Sequence, residues 1–249
     1  MTIKEAMVLA AGLGTRMRPV TNTMPKPLVK IADKPMIDYV LDSLKQAGVE
    51  RAAVNVHHFA DQMEAHLKSY SGLDILISDE RDGLMNNGGG IVKALPLLGR
   101  DTIFVMNADL FWIGEEPGKP SNLDRLSAFF DPDRMDMAML CVRIEDTTGH
   151  NGVNDFSMAA DGKLTRFRDD PSNPVVYAGA CAMKPEFLDD APRDPFNINT
   201  YYDKAISRGR LYGMMMDGHW LTVGTPEAIT QAEETIRRFQ PAVPNARVT

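Results

Sequence analysis

The sequence predicts an α/β fold, in which a mainly parallel mixed sheet is flanked by helices and carries a small β-rich lobe. Short apolar runs alternate with helical patterns through the first half of the 249-residue chain, and that alternation is typical of βαβ units. The second half replaces the alternation with strands and tight turns, which predict the lobe. We therefore expect a single domain over residues 1–239, followed by a tail at 240–249.

The first half supplies the parallel core of the predicted sheet. In its first helical pattern Met36, Val40 and Leu44 share one face, and Gly48 is a suitable stop. Strands are expected at 6–10, 51–56, 73–78 and 102–106, and helices at 36–44, 61–70 and 90–98. Ligands of such sheets bind where the parallel strands end. The loops that follow these strands are therefore the first place to look for a site.

The second half predicts strands that are separated by glycine turns. Asp161-Gly162 divides residues 156–167 into a β-hairpin, and Asp217-Gly218 separates two further strands. Strands are expected at 135–144, 175–183, 211–216 and 219–223, and helices at 199–208 and 226–239. Two prolines and few apolar residues in the tail predict mobility there.

Composition and charge exclude several classes of protein. The net charge is −7, so the surface as a whole does not attract nucleic acid. No stretch is long enough to span a bilayer, and Lys4 and Glu5 interrupt the segment that a signal peptide would need. Cys141 and Cys181 form no metal or disulfide pattern and are expected as small core residues. The sequence predicts a cytoplasmic protein without nucleic-acid or membrane partners, and it leaves the oligomeric state open.

The most informative segment follows the first predicted strand. Residues 9–19 read LAAGLGTRMRP, and residues 25–28 read PKPL. Glycines let backbone N–H groups approach an anion closely, and the forked donors of Arg16 and Arg18 suit phosphate oxygens. The prolines stiffen the loop that carries Lys26. These features predict a polyphosphate site, and the lack of a third glycine argues against a dinucleotide-binding dehydrogenase.

Four motifs in this order resemble the sugar 1-phosphate nucleotidyltransferases. They are the segments 9–19 and 25–28, Asn107-Ala108-Asp109, and the segment 223–226 (VGTP). The resemblance implies a Rossmann-like sheet of the nucleotide-diphospho-sugar transferase type, with a nucleotide half at 1–110 and a sugar-binding half at 111–239. It also implies an enzyme that joins a nucleoside triphosphate to a sugar 1-phosphate and releases pyrophosphate, with Mg²⁺ or Mn²⁺ as cofactor.

Within that family, the compact length and segment 87–98 (NGGGIVKALPLL) are most similar to the N-acetylmuramate 1-phosphate uridylyltransferases of bacterial cell-wall recycling. The similarity implies UTP and N-acetylmuramate 1-phosphate as substrates. A mannose or glucose 1-phosphate nucleotidyltransferase is an alternative, and so is a non-catalytic regulatory protein that binds sugar nucleotides. Arg143, Arg166 and Arg168 are candidates to bind the lactyl carboxylate of a muramic acid.

The resemblance implies three catalytic residues, Arg16, Lys26 and Asp109. Arg16 and Lys26 would neutralise phosphate charge, and Asp109, at the end of a predicted strand, would bind the metal. The implied nucleotide-binding residues are Ala11, Gly12, Gly14, Thr15, Arg16, Lys26, Asn87, Gly88 and Asn107. The implied sugar-binding residues are Asp155, Gly179 and Asn197. The glycines at 88–90 are expected to form a loop before a helix.

Two positions depart from the family pattern. Asn86-Asn87 stands where the uridylyltransferases tend to have Glu-Thr, which bears on the choice of base. Thr222 stands where the family usually has a second metal-binding aspartate. Three explanations follow, in order of preference. The enzyme uses one carboxylate, with phosphates and waters completing the metal's coordination; Asp217 or another acid substitutes; or the protein binds nucleotide without turnover.

Overall fold

The chain folds around a nine-stranded mixed sheet in the computed structural model, whose described residues are 2–239. In chain order the strands and helices are β1 (Glu5–Leu9), β2 (Lys30–Ile31), β3 (Lys34–Pro35), α1 (Met36–Gln46), β4 (Arg51–Val56), α2 (Ala60–Ser69), β5 (Asp74–Asp79), α3 (Asn86–Ala94), β6 (Ile103–Asn107), β7 (Leu110–Ile113), α4 (Asn122–Phe129), β8 (Met137–Val142), β9 (Thr147–Thr148), β10 (Phe156–Met158), β11 (Leu164–Arg166), β12 (Pro174–Met183), α5 (Asn199–Ser207), β13 (Leu211–Met215), β14 (His219–Thr222) and α6 (Pro226–Phe239).

The parallel part of the sheet runs β6-β1-β4-β5. Strands β1, β4 and β6 are buried on both faces, as the continuous apolar runs of the sequence predict, whereas the edge strand β5 is only partly buried. Ala6 and Val8 pack with α1 and α2 on one face, whereas Met7 belongs to the cluster that contains α3 and α5 on the other. Helices on both faces leave the strand ends as the open edge, and that edge carries the site.

The long strand β12 joins this part to the rest of the molecule. Ala180–Met183 pairs antiparallel with β6, and Pro174–Val175 pairs with β10. Strand β8 covers the opposite edge of β12, with a register shift between Tyr177 and Cys181. A separate three-stranded sheet, β7-β14-β9, is tied to β12 by Trp220, whose indole Nε1 donates to the carbonyl oxygen of Ala178 at 3.0 Å. The predicted mixed α/β architecture with a β-rich second half is confirmed.

Several element boundaries differ from the sequence prediction. Helix α3 begins at Asn86, so the glycines at 88–90 lie inside the helix and are buried; the prediction of a loop there was wrong. The strands before and after Asp217-Gly218 do not pair with each other, since β13 adds to β8 and β14 pairs with β7 and β9. The sequence analysis also missed β7 and α4, although Ser121 and Asp124 form a capping box at the start of α4.

Both cysteines lie in the core as the sequence predicts. Burial raises the pKa of the Cys181 thiol to about 12 and raises the pKa of the Cys141 thiol as well. Both are therefore protonated and unreactive at neutral pH. Among residues 2–239 no helix has the length and apolarity to cross a membrane. The predicted tail at 240–249 lies outside the described residues.

Candidate active site

A cleft opens at the carboxyl edge of the parallel sheet, where β1, β4 and β6 end. Leu9, Asn55 and Asn107, from the ends of these three strands, all line it. Six of the site residues predicted from the sequence line the cleft, namely Ala11, Gly12, Lys26, Asn87, Asn107 and Asp109. An adjoining depression shares Gly12, Lys26 and Asp109 with the cleft and adds Gly14, Thr15 and Arg16. The predicted phosphate and metal residues therefore meet in one place.

Lys26 and Asp109 form an ion pair at the floor of the cleft. The Lys26 ammonium nitrogen Nζ lies 2.5 Å from the Asp109 carboxylate oxygen Oδ2, and the two side chains are 11% and 36% exposed. Lys26 is held in a short helical turn between Pro25 and Pro27, and Asp109 follows β6. Because the Lys26 ammonium is largely buried, its charge acts on a neighbouring anion more strongly than a surface charge would.

The glycine-rich loop packs directly against Lys26. Gly14 has a φ of +61°, and a Cβ there would lie 3.0 Å from both Lys26 Cβ and Thr21 Cγ2. The hydroxyl of Thr21 donates to the Gly14 carbonyl oxygen at 2.8 Å. Any side chain at position 14 would therefore be strained and crowded. Around Gly12, by contrast, there is open space within 4 Å, which leaves its backbone accessible to a ligand.

Arg16 extends from this loop to the other side of the depression. It is exposed, and its guanidinium lies beside Gly224, where a Cβ would be 3.9 Å from the guanidinium carbon. Within residues 2–239 neither Arg16 nor Arg18 has a carboxylate at ion-pair distance. The juxtaposition of Arg16 and Gly224 joins two of the sequence motifs in space and leaves a cationic group free to meet a phosphate.

The opposite wall of the cleft is the start of α3. Asn86 has a left-handed φ of +59°, which asparagine tolerates better than most residues. The side-chain oxygen of Asn87 accepts hydrogen bonds from the backbone N–H groups of Gly88 and Ile198, both at 2.9 Å. At Gly88 a Cβ would lie 2.4 Å from the Phe196 ring. Gly88 therefore serves close packing, and Asn87 ties this wall to the chain segment before α5.

A series of buried hydrogen bonds, which the sequence analysis missed, lies behind both walls of the cleft. The Ala10 N–H donates to Asn55 Oδ1 at 2.6 Å, and Asn55 Nδ2 donates to Glu80 Oε1 at 2.7 Å. The Met85 N–H donates to the other Glu80 oxygen at 2.9 Å. Asn55 is 2% exposed and Glu80 is fully buried. The only sequence signal was that both residues are polar and stand at the ends of apolar strands.

Asp155, the first of the predicted sugar-binding residues, stands just before β10. One of its carboxylate oxygens accepts the Tyr177 N–H at 2.9 Å. Burial of part of the carboxylate raises the pKa of Asp155, and the hydrogen bond from Tyr177 together with the charges of His150 and Arg166 partly offsets that rise. The side chain retains exposed surface and is therefore able to accept further hydrogen bonds.

The other two predicted sugar-binding residues have clear structural roles. Gly179 lies in the irregular part of β12 with a φ of +73°, and a Cβ there would lie 2.3 Å from the Leu110 side chain. Asn197 is exposed, and its side-chain oxygen accepts the Asn199 N–H at 2.9 Å near the start of α5. Neither residue, nor Asp155, lines the cleft at the phosphate loops. Their binding roles stay predictions.

Thr222 borders Asp109, the predicted metal ligand, but Asp217 does not. Thr222 pairs with Leu110 at the end of β14, and the next N–H, of Val223, donates to the Asp109 carbonyl oxygen at 3.3 Å. Asp217 precedes the other end of β14 and forms an ion pair with Arg125 at 2.7 Å. The hypothesis that Asp217 replaces the missing ligand is therefore wrong, because the strand separates it from Asp109 by roughly 15 Å.

Two of the three arginines considered for a lactyl carboxylate are already paired. Arg166 donates to Asp203 at 2.7 Å and packs over the Phe156 ring at 4.9 Å. Arg168 is exposed and lies 3.4 Å from its neighbour Asp169. Arg143 is exposed and lies in a groove with Met158 and Val175, away from the cleft. The structure brings none of them to the phosphate loops.

The donor set suits a hard cation that arrives with a substrate. No group of three or more histidine, cysteine or acidic side chains within the described part of the chain forms a metal cluster. Asp109 supplies one carboxylate, and Asn107 precedes it on the same edge. Mg²⁺ is commonly bound by one or two carboxylates together with substrate phosphates and waters. The residues present therefore fit a metal that is held jointly by Asp109 and phosphate oxygens.

Comparison with known proteins agrees with this geometry. The sequence pattern of the family described as nucleotidyl transferase matches residues 5–238. N-acetylmuramate alpha-1-phosphate uridylyltransferase of Caulobacter vibrioides is 45% identical over 92% of this chain and 96% of its own, and the protein of that name from Neisseria meningitidis is 32% identical over the same shares. The solved inositol-1-phosphate CTP transferase of T. maritima superimposes with a TM-score of 0.77 at 17% identity, covering 98% of each chain, and shows the fold alone.

Proposed function

Because the chain belongs to the nucleotidyl transferase family, we propose that it transfers a uridylyl group from UTP to N-acetylmuramate 1-phosphate and releases pyrophosphate. The observation that carries the proposal is the Lys26–Asp109 ion pair, which lies where the glycine-rich loop meets the strand ends. The two uridylyltransferase relatives, which the chain matches over nearly its whole length, support this choice of substrates.

The proposed reaction needs no catalytic base. An oxygen of the sugar phosphate, which is already ionised at neutral pH, attacks the α-phosphorus of UTP. The new oxygen–phosphorus bond forms as the bond from the α-phosphorus to the bridging oxygen breaks, and the electron pair leaves on pyrophosphate. The protein's work is then to position two anions and to neutralise the charge that repels them.

Each catalytic residue has one task in this scheme. The open backbone at Gly12 and the exposed guanidinium of Arg16 bind the β- and γ-phosphates and stabilise pyrophosphate as it forms. Lys26 turns its donors from Asp109 to the phosphates at the reacting centre. Asp109 would then hold a divalent cation, which when bound supplies further positive charge to the two phosphates. Asn107 is proposed to contact the ribose or the base.

The proposal also covers a residue that binds the sugar and the compartment in which the reaction takes place. Asp155 is proposed to accept hydrogen bonds from sugar hydroxyls or the N-acetyl N–H, because its carboxylate retains exposed surface next to β12. We also propose that the reaction takes place in the cytoplasm, where nucleoside triphosphates are available; the two cysteines, both free, agree with a reducing compartment.

The test is a pyrophosphate-release assay with four nucleoside triphosphates against the 1-phosphates of N-acetylmuramate, N-acetylglucosamine, glucose and mannose, with Mg²⁺ or Mn²⁺. Activity confined to UTP with N-acetylmuramate 1-phosphate is the expected result. Activity with another sugar phosphate would keep the mechanism and change the substrate, so it would contradict the specific proposal.

A non-catalytic binding protein is the second candidate, and Thr222 is the observation that favours it. Threonine carries no charge and is a poor replacement for a carboxylate ligand. Calorimetry separates the two candidates. Binding of UTP or of a UDP-sugar, with no pyrophosphate released under any metal, would favour a sensor of sugar nucleotides.

A further inference from the structure

We propose that Asn55 and Glu80 are positioning residues that fix the distance between the two walls of the nucleotide cleft. One wall is the loop after β1, which begins at Ala10, and the other is the segment that runs from Met85 into α3. Three hydrogen bonds of 2.6, 2.7 and 2.9 Å join the walls: from the Ala10 N–H to Asn55, from Asn55 to Glu80, and from the Met85 N–H to Glu80. The inference rests on the proposed function only in assuming that this cleft takes the nucleotide.

The hydrogen bonds can be arranged in only one way, because the groups at the two ends of the series, the N–H groups of Ala10 and Met85, are both donors. The Ala10 N–H requires an acceptor, so the oxygen of the Asn55 amide must face it and the NH₂ group must face Glu80. Residue 80 then meets two donors, the Asn55 NH₂ and the Met85 N–H. A carboxylate satisfies both, whereas a carboxamide at position 80 would satisfy one and oppose the other. The requirement for an acid at position 80 follows from the backbone at positions 10 and 85.

Neighbouring groups hold the pair in place. The Glu80 backbone N–H donates to the Val56 carbonyl oxygen at 2.8 Å, and a ring nitrogen of His57 lies 2.7 Å from the Glu80 carbonyl oxygen. On the helix side, a Cβ at Gly90 would lie 2.8 Å from Asn55 Nδ2 and 2.9 Å from Glu80 Oε1. Gly90 thus lets α3 sit directly on the pair, so a shift of either side chain displaces the helix that forms the second wall.

The experiment exchanges the amide at position 55 and the carboxylate at position 80. Glu80→Gln breaks one of the three hydrogen bonds, because it opposes two donors. Asn55→Asp places two carboxylates in contact, so this variant must either bear their repulsion or take up a proton from solvent. The double variant restores all three bonds with the polarity of the middle one reversed. The new carboxylate at position 55 accepts from Ala10 and from the new amide at position 80, whose oxygen accepts from Met85. The net charge equals that of the wild type.

The readout is the dissociation constant of UTP, measured by calorimetry on the full chain, together with the melting temperature Tm. Each single variant is expected to weaken UTP binding about tenfold, and the double variant to bind within about threefold of wild type. A matched control is Asn122→Asp, since the buried Asn122 amide also bridges two backbone groups, the N–H and the carbonyl oxygen of Asp217, far from the cleft. It should lower Tm and leave UTP binding unchanged.

The outcomes separate positioning from mere stability. Single variants that bind UTP like the wild type, or a double variant no better than its parents, would overturn the inference. A loss of UTP affinity in the Asn122→Asp control would also overturn it, because lowered stability alone would then account for weaker binding. If the single variants fail to fold, recovery of folding and of UTP binding in the double variant supports the inference, and its failure to recover overturns it. Because binding is measured without turnover, an inactive wild-type protein would count against the proposed function alone.

Discussion

The two halves of the molecule build their parts of the site in different ways. In the first half, the groups that face the cleft are backbone loops and short side chains at the ends of adjacent parallel strands, and Lys26 and Asp109 are locked together. In the second half, the predicted sugar contacts lie on three separate features, namely the start of β10, an irregularity in β12 and the segment before α5. The proposed phosphate end is thus preorganised by the sheet, whereas the predicted sugar end depends on residues from distant elements.

This contrast suggests a division of labour. Under the proposed function, the phosphate chemistry depends on the rigid strand ends, and the choice of acceptor depends on positions where sequence changes do less harm to the core. Substitutions in the first half should therefore lower the rate constant kcat most. Substitutions in the second half should mainly raise the Michaelis constant KM of the sugar phosphate.

The largest effect is expected from Asp109→Asn. The change removes the carboxylate that would hold the cation and that pairs with Lys26, so turnover should fall more than about a thousandfold while UTP still binds. Pyrophosphate release measures it. The matched control is Asp217→Asn, whose carboxylate pairs with Arg125 at the far end of β14; it should leave the rate within about twofold. Near-normal turnover in Asp109→Asn would refute the role of this residue.

Lys26→Ala should lower kcat about a hundredfold, with a smaller change in the KM of UTP. The ammonium neutralises charge that grows as the bond to pyrophosphate breaks, so its loss costs more in the transition state than in the ground state. Steady-state kinetics give both constants. Lys34→Ala is the control, because Lys34 forms a comparable 2.5 Å pair with Asp42 on the surface. An effect on KM alone would show that Lys26 binds only the ground-state phosphates.

Thr222→Asp tests whether the single carboxylate of Asp109 suffices to hold the metal for catalysis. Position 222 borders Asp109 through the β7–β14 pairing, so a second carboxylate there should lower the Mg²⁺ concentration for half-maximal activity about tenfold without being required for activity. Thr165→Asp, at an exposed position in β11, adds the same charge elsewhere and should change nothing. Activity that appears only in the Thr222→Asp variant would favour the binding-protein alternative for the natural chain.

The smallest effect is expected from Asp155→Asn. The amide oxygen keeps the hydrogen bond from Tyr177, but the loss of charge should raise the KM of the sugar phosphate about fivefold and leave that of UTP unchanged. Burial raises the pKa of Asp155 above its unfolded value, so the ionised form costs stability once the pH exceeds the ordinary aspartate pKa of about 4.

The stability of Asp155→Asn therefore has a defined pH dependence. Its Tm should exceed that of the wild type at pH 7, and the difference should disappear as the pH falls below about 4, where the carboxyl group is protonated in both states. Thermal melts at several pH values measure it. A rise in the KM of UTP equal to that of the sugar phosphate would place Asp155 in the nucleotide half of the site instead.

The contrast between the two halves also explains which features the sequence predicted and which it did not. The parallel strands and the cleft at their ends followed from the apolar runs, because local patterns determine them. Lys26 and Asp109 were assigned to one site through the family resemblance, since their ion pair joins residues 83 positions apart in the chain. The pairing of β14 with β7, the position of Gly88 beneath Phe196 and the Asn55–Glu80 pair depend on contacts between residues far apart in the chain. Such contacts leave no local signal. Gly179 is an example, since its close packing against Leu110 left no local signal, while its predicted role in sugar binding stays a prediction.

The most direct test is phosphorus NMR of the wild-type protein with UTP, N-acetylmuramate 1-phosphate and Mg²⁺. If the proposed mechanism is correct, the resonances of UTP and of the sugar phosphate decline together, while those of pyrophosphate and of a UDP-sugar diphosphate grow in equal amounts. An unchanged spectrum, from protein that calorimetry shows to bind UTP, would contradict catalysis and leave a nucleotide-binding protein.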